Sequence, residues 1–216
     1  LLKYLLKKTE DANLKKYLLS YYMDMIKSTC FRQTQFAEFE FLAHDMAEKG
    51  QPLTKDALCD AYLALNKKYY GRSVISDPEI AYEWARIPHF YRAFYVYKYA
   101  TGIISAISIA ERIYTEGAPA VEDYFKFLSS GGSDSPVELL KLAGVDLTKK
   151  DAFEAAMASF KDALEQFEAV GETDFATAET FYRASKCVEA MGGDTLRRIA
   201  LLDSTMTRLP RPVPPR

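Results

Sequence analysis

Almost nothing in the first 170 residues of this chain would interrupt a helix. Of its nine prolines, four crowd into Pro210–Pro215, leaving five for the other 210 residues. Proline and glycine are the strongest intrinsic breakers of helical structure, so their scarcity biases the body of the chain towards helix. No run alternates apolar and polar residues as a strand would. The expected fold class is therefore all-α, with six to eight helices.

The punctuation that does exist places the elements. From Asp11 to about Lys49, Leu14, Tyr17, Leu18, Tyr21, Tyr22, Met25 and Ile26, then Phe31, Phe36, Phe39 and Leu42, recur at three- and four-residue steps. This predicts one long amphipathic helix with a stripe broad enough to be buried on more than one side. Gly50-Gln51-Pro52 stops it, and Thr54 can cap a second helix that runs to about Tyr70 and ends at Gly71. Arg72 to Pro78 reads as a loop, Glu79 to Arg86 as a short helical segment, and Pro88 as a break. A long helix is expected over about His89 to Tyr114. Gly117 and Pro119 interrupt it before a shorter helix over Val121 to Leu128.

Ser129 to Pro136 is a loop, and Ser135 ahead of Pro136 is an N-cap before a proline at the first helical position. That short helix runs through Leu142 to Gly144. An amphipathic helix follows from about Lys150 to Val170, with Phe153, Met157, Phe160, Leu164 and Phe167 on one face. Beyond Gly171 the pattern predicts a helix over Asp174 to Met191, a break at Gly192-Gly193, a short basic helix over Leu196 to Leu202, and an extended Pro-Arg tail from Leu209.

Composition excludes several functions. A net charge of -2 and a pI near 5.8 give no basic field, which argues against nucleic acid as a partner. The longest apolar run, Ile103 to Ala110, carries two serines and falls far short of the roughly 20 residues that span a bilayer. No membrane partner is expected. Cys30, Cys59 and Cys187 are an odd number without metal-type or redox-type spacing, which fits a reducing, cytoplasmic setting. Leu1, Leu2, Leu5 and Leu6 form a helical stripe with no initiator Met, as if the chain began inside a helix of something longer.

Chemistry concentrates between Arg86 and Gly102. His89 is one of two histidines, and Pro88 bends the chain just ahead of it. With Tyr91 set at zero on a helical wheel, Tyr95, Lys98 and Gly102 fall within about 20 to 40 degrees of it. Phenols and an imidazole on one wall are donors without fixed charge, suited to an oxyanion developing on an attacked carbonyl. They are equally suited to gripping a peptide backbone, or to serving as core aromatics with satisfied hydroxyls. His44-Asp45-Met46-Ala47-Glu48 echoes a zinc helix but lacks its second histidine, so it reads as a solvated helix end. Glu38 and Glu40, two residues apart, cannot share a helix face as a carboxylate dyad. An ion pair with Arg32 is the expectation there. Cys30 and Cys59 read as small core residues.

Three blocks carry a resemblance: Phe31-Arg32-Gln33-Thr34-Gln35-Phe36-Ala37-Glu38-Phe39-Glu40, Pro88 to Gly102, and Gly131-Gly132-Ser133-Asp134-Ser135-Pro136 with Leu139 to Asp146. In order and spacing they resemble the C-terminal part of oligoendopeptidase F, of the M3 zinc metallopeptidases. The resemblance covers about residues 1 to 170. It implies a helical enzyme that cuts short peptides in a deep channel, with zinc held by a His-Glu-x-x-His helix and a following glutamate, both upstream of this part. This chain would then hold no metal ligands; the zinc would belong to the parent enzyme. Its own contribution would be the facing wall, with His89 and Tyr91, Tyr95 or Tyr97 donating to the substrate carbonyl, and Lys98 and the Gly131-Gly132 loop contacting substrate. The implied partners are a short peptide and the upstream half of the same enzyme, without which the chain would be inactive. The alternative is a non-catalytic helical peptide-binding or structural module. Residues 171–216 lie beyond the resemblance and read as an extra helix and a Pro/Arg-rich tail, either a non-native extension or a natural helix packing on the body.

Overall fold

The computed structural model describes residues 1–71 and 74–170; the helices expected beyond Gly171 lie outside them. Within the described residues the chain is helical with no strand, and eight α-helices are present, as the scarcity of breakers implies. They are α1 (Leu2–Lys8), α2 (Ala12–Ile26), α3 (Arg32–Glu48), α4 (Lys55–Tyr70), α5 (Tyr97–Glu116), α6 (Ala118–Ser129), α7 (Pro136–Leu142) and α8 (Asp151–Ala169).

The expected long first helix is present as α2 and α3, joined without interruption by a π-helical turn over Lys27–Phe31. One turn of wider radius, closed by the Arg32 N–H on the Lys27 carbonyl, shifts the helical register of everything after it. Hydroxyl side chains accompany the widening. Ser28 Oγ donates to the Asp24 carbonyl at 2.7 Å and Thr34 Oγ to the Cys30 carbonyl at 2.7 Å.

One rod serves two cores on either side of this turn. Ahead of it Leu19, Tyr22, Met23 and Ile26 pack with Ile104 and Ile107 of α5 and with Phe160, Ala163, Leu164 and Phe167 of α8. The Tyr22 hydroxyl meets Ser159 Oγ at 2.6 Å across that interface. Beyond it Phe36 and Phe39 pack with Tyr62 and Leu65 of α4 and with Val96, against partly buried Trp84, Ile87 and Phe90. Each large side chain so buried contributes about 1.5–3 kcal/mol of transfer free energy.

The caps fall where residue type places them. Asp11 accepts from the Asn13 N–H at 2.8 Å, Thr54 from Ala57 at 3.2 Å and Ser135 from Glu138 at 3.4 Å. After α7 the chain turns through Gly144, whose φ of 75° strains any other residue and where a side chain would displace the Arg112 guanidinium. The same guanidinium donates to the Ala143 carbonyl at 2.5 Å, tying that turn to α5.

One expected element is wrong. No helix begins at His89: a 3₁₀ segment over Pro78–Arg86 leads through Ile87 into a second, Pro88–Tyr91, and α5 starts only at Tyr97. Between them Phe94 sits at φ 54°, in the left-handed region. Tertiary contacts override helical propensity here. Phe90 turns inward onto Phe36 and Phe39, at 5.6 and 5.2 Å between ring centroids, and Val96 is buried beside them.

Candidate active site wall

Because the 3₁₀ segment and α5 are separate, Tyr91 and Tyr95 share no helical face. Tyr91 is 78% exposed, with its hydroxyl 3.5 Å from the Ala85 carbonyl oxygen. The chain doubles back at Phe94 and brings a different set together. The His89 and Tyr95 rings stack at 5.5 Å, and Tyr99 stands edge-on to both, at 5.9 Å from His89 and 5.7 Å from Tyr95. Tyr99 Oη lies 3.2 Å from His89 Nε2. Lys98 Nζ sits 4.9 Å over the Tyr95 ring, so Lys98 does join the group, through a cation–π contact worth about 0.5–1 kcal/mol at an exposed position.

The geometry makes two donor arrangements available. If Tyr99 donates to Nε2, the imidazole proton is on Nδ1 and free to donate outward; if His89 donates, the phenol proton of Tyr99 is free. Partial desolvation and the adjoining Tyr95 hydroxyl push Tyr99 above the ordinary phenol range. The hydroxyl therefore stays protonated at neutral pH. A half-exposed cluster of this kind can hold a carbonyl oxygen and stabilise charge developing on it.

Tyr97 does not belong to this cluster. It lies two residues from Tyr99 on α5, about 200 degrees around the helix, and lines an apolar cavity of about 450 Å³ with Cys30, Tyr69, Ile104, Phe153 and Met157. Gly131 and Gly132 sit in the exposed turn between α6 and α7, with open space where a side chain would be. Tyr99 stands four residues from Tyr95, a spacing the sequence carries, but a helical wheel anchored on Tyr91 does not bring out this pair.

Two buried carboxylates hold the segment from behind. Glu83 accepts from Arg32 and Arg86 on one oxygen and from the Tyr62 hydroxyl, at 2.5 Å, on the other. Desolvation pushes its carboxyl up, but Tyr62 and Arg32 outweigh that and hold it below the usual range. Arg32 thus pairs with Glu83, not with Glu38 or Glu40. Glu38 takes Lys68 and the Tyr69 hydroxyl, and Glu40 is 4% exposed and accepts the backbone N–H of Phe94 at 2.5 Å. His44 is no bare helix end: its ring lies 4.6 Å from that of Phe94. Cys30 and Cys59 are buried free thiols, as expected, and burial pushes the Cys30 thiol up to about 11.

Among the described residues, no group of three or more His, Cys, Asp or Glu could hold a metal ion. None of their helices is long and apolar enough to cross a membrane.

Comparison with known proteins matches this architecture. Oligopeptidase PepF of Bacillus subtilis is 46% identical over 165 residues, covering 76% of this chain and 25% of that protein. An oligoendopeptidase F homolog of Borreliella burgdorferi is 46% identical over 170 residues, covering 79% and 29%. The crystal structure of oligoendopeptidase-F from Enterococcus faecium superposes with a TM-score of 0.76 at 47% identity, over 78% of this chain and 32% of that one. The chain thus spans between a quarter and a third of the length of these relatives. The sequence profile of Peptidase family M3 matches residues 1–159, and with identities of this size across the same helices the chain belongs to that family.

Proposed function

We propose that this chain is the C-terminal part of a zinc-dependent oligoendopeptidase, and that His89, Tyr95 and Tyr99 form the wall that meets the scissile carbonyl of a short peptide. The observation that carries the reading is the 3.2 Å contact between Tyr99 and His89 beneath the stacked Tyr95 ring. Such an arrangement fixes a donor in place before substrate arrives, and preorganised donors are where much of the rate of acyl transfer comes from. Lys98 adds a cation at the rim, suited to a peptide carboxylate. Tyr91, standing exposed ahead of the cluster, is suited to the peptide further along the channel. Tyr97 and the Gly131-Gly132 turn stand as outer contacts completed by the upstream half.

Zinc, when bound, would supply the activated water of such an enzyme. The described residues do not fit it: no three of their His, Cys, Asp or Glu side chains come together as a ligand set. Its ligands would lie in the upstream half, with residues 1–170 as the M3 part and residues 171–216 outside it. What this chain's own residues do is orient the peptide and hold a proton at the carbonyl oxygen. The free thiols of Cys30 and Cys59 favour a reducing, cytoplasmic setting.

The test is hydrolysis of an internally quenched short peptide by the chain supplied with its upstream half. His89→Ala and Tyr95→Phe should each lower kcat/KM by about a hundredfold, the order seen when one oxyanion donor is removed. The chain alone should not cleave the peptide. Unchanged kcat/KM in both variants would sink the proposal.

A further inference from the structure

The geometry points to Glu40 as the positioning residue of the His89 cluster: its buried carboxylate, by accepting the Phe94 N–H, locks the left-handed turn that folds Tyr95 and Tyr99 back onto His89. This rests on the reading of that cluster as the functional wall.

Three observations converge on it. Phe94 is the one residue other than glycine at positive φ among the described residues, at 54°. For a bulky residue that conformation costs on the order of 1–3 kcal/mol and persists only where surroundings over-determine it. The surroundings come from a single helix. Glu40 of α3 takes the Phe94 N–H at 2.5 Å, and His44, one turn further along α3, lies against the Phe94 ring at 4.6 Å. Residues four apart share a helix face, so the two act on Phe94 as one clamp.

The third observation is the choice of residue. Glu40 is 4% exposed, and among the described residues it has no lysine or arginine partner. Burying a carboxylate against one backbone N–H is a poor way to fill a core, since desolvation is costly and an apolar side chain would serve better. The cost is intelligible if that N–H has to be held. On one side Phe90 is anchored on Phe36 and Phe39, and on the other Val96 is 1% exposed. Between these anchors the chain reverses through the turn at Phe94. Released, residues 93–96 would continue α5 backwards by a turn, and Tyr95 would swing away from His89.

The two histidines make this readable directly. In the full 216-residue chain, the imidazole protons of His89 should show nuclear Overhauser contacts to the Tyr99 ring. We expect Glu40→Ala to lose that contact and move the His44 ring resonance while retaining helical circular dichroism. Glu40→Gln, which keeps an acceptor oxygen, should preserve it. Phe94→Pro removes the N–H and forbids positive φ at an exposed position, and should lose the contact as Glu40→Ala does. Persistence of the His89–Tyr99 contact in Phe94→Pro overturns the assignment, whether or not Glu40→Ala folds; so does its persistence in a folded Glu40→Ala. With the upstream half supplied, Glu40→Ala should lower kcat by roughly ten- to a hundredfold, the scale of a small misplacement of reacting groups, with KM nearly unchanged. Hydrolysis indifferent to His89→Ala would instead defeat the functional reading and leave the clamp, read from the ring contacts, standing.

Discussion

Glu83 shows what a single side chain contributes here. It is 5% exposed, and it joins α3 through Arg32, α4 through Tyr62 and its own 3₁₀ segment through Arg86. Although desolvation pushes it up, its folded carboxyl is held below its ordinary value of 4.5 by the hydrogen bond from Tyr62 and the charge of Arg32. A depressed carboxyl adds stability that is fully present above the unfolded pKa and is lost as pH falls through the folded one. Equilibrium unfolding followed between pH 7 and pH 3 should therefore show stability falling below about pH 4.5. Glu83→Gln should flatten that fall and cost about 3 kcal/mol at pH 7, because it strips the charge that Arg32 and Arg86 share. An unaltered acid limb in the variant would mean that other carboxylates carry the transition. Cys30 offers a second check. With its thiol pushed up to about 11 and only 6% exposed, it should resist alkylation at pH 8 until the chain is unfolded.

Among the elements, the helices that stand were legible because local and tertiary preferences agree in them. Thr54 and Ser135 cap where their hydroxyls can reach an orphan N–H, and Phe160, Leu164 and Phe167 recur at the spacing that faces one core. The segment from Pro88 to Val96 was misread for the opposite reason. Its aromatic run has helical spacing, but Phe90 and Val96 are claimed by the second core and the Phe94 N–H by Glu40. No periodicity records a partner 54 residues away. The residues proposed for the site thus stand out by type and by resemblance, while their grouping does not; Tyr99 and not Tyr91 joins His89 and Tyr95 because α5 starts only at Tyr97. The π turn escaped for a similar reason, since one added residue in a helical register barely disturbs a broad apolar stripe. It can be tested by deletion. Removing Thr29 should convert the turn to regular helix and leave α3 facing nearly as it does, because the five residues of the π turn cover about the angle of four α-helical ones. Phe36 and Phe39 should then stay in the second core, and the variant should still unfold cooperatively on heating. Loss of cooperative unfolding would show that the wider turn itself is required.

At the scale of the molecule, two hydrophobic clusters share one rod, α2 continuing through the π turn into α3, and α5 contacts both α8 and α3. That continuity decides whether the wall bearing His89 is as stable as the larger core or opens independently of it. A rod whose two ends are buried in different clusters cannot be half folded without exposing one of them, so the two should unfold together. Trp84, the sole tryptophan, lies against the second cluster and reports on it alone. Phe160, fully buried on α8, belongs to the first. Phe160→Ala should cost about 3–5 kcal/mol and lower the melting temperature by on the order of 10 °C. With one cooperative unit, Trp84 fluorescence and helical circular dichroism should shift by the same amount, although no atom near Trp84 has changed. If the Trp84 transition stays in place while the dichroism moves, the second cluster folds on its own, and the geometry of the His89 wall is set by α3, α4 and the 3₁₀ segments without support from α8.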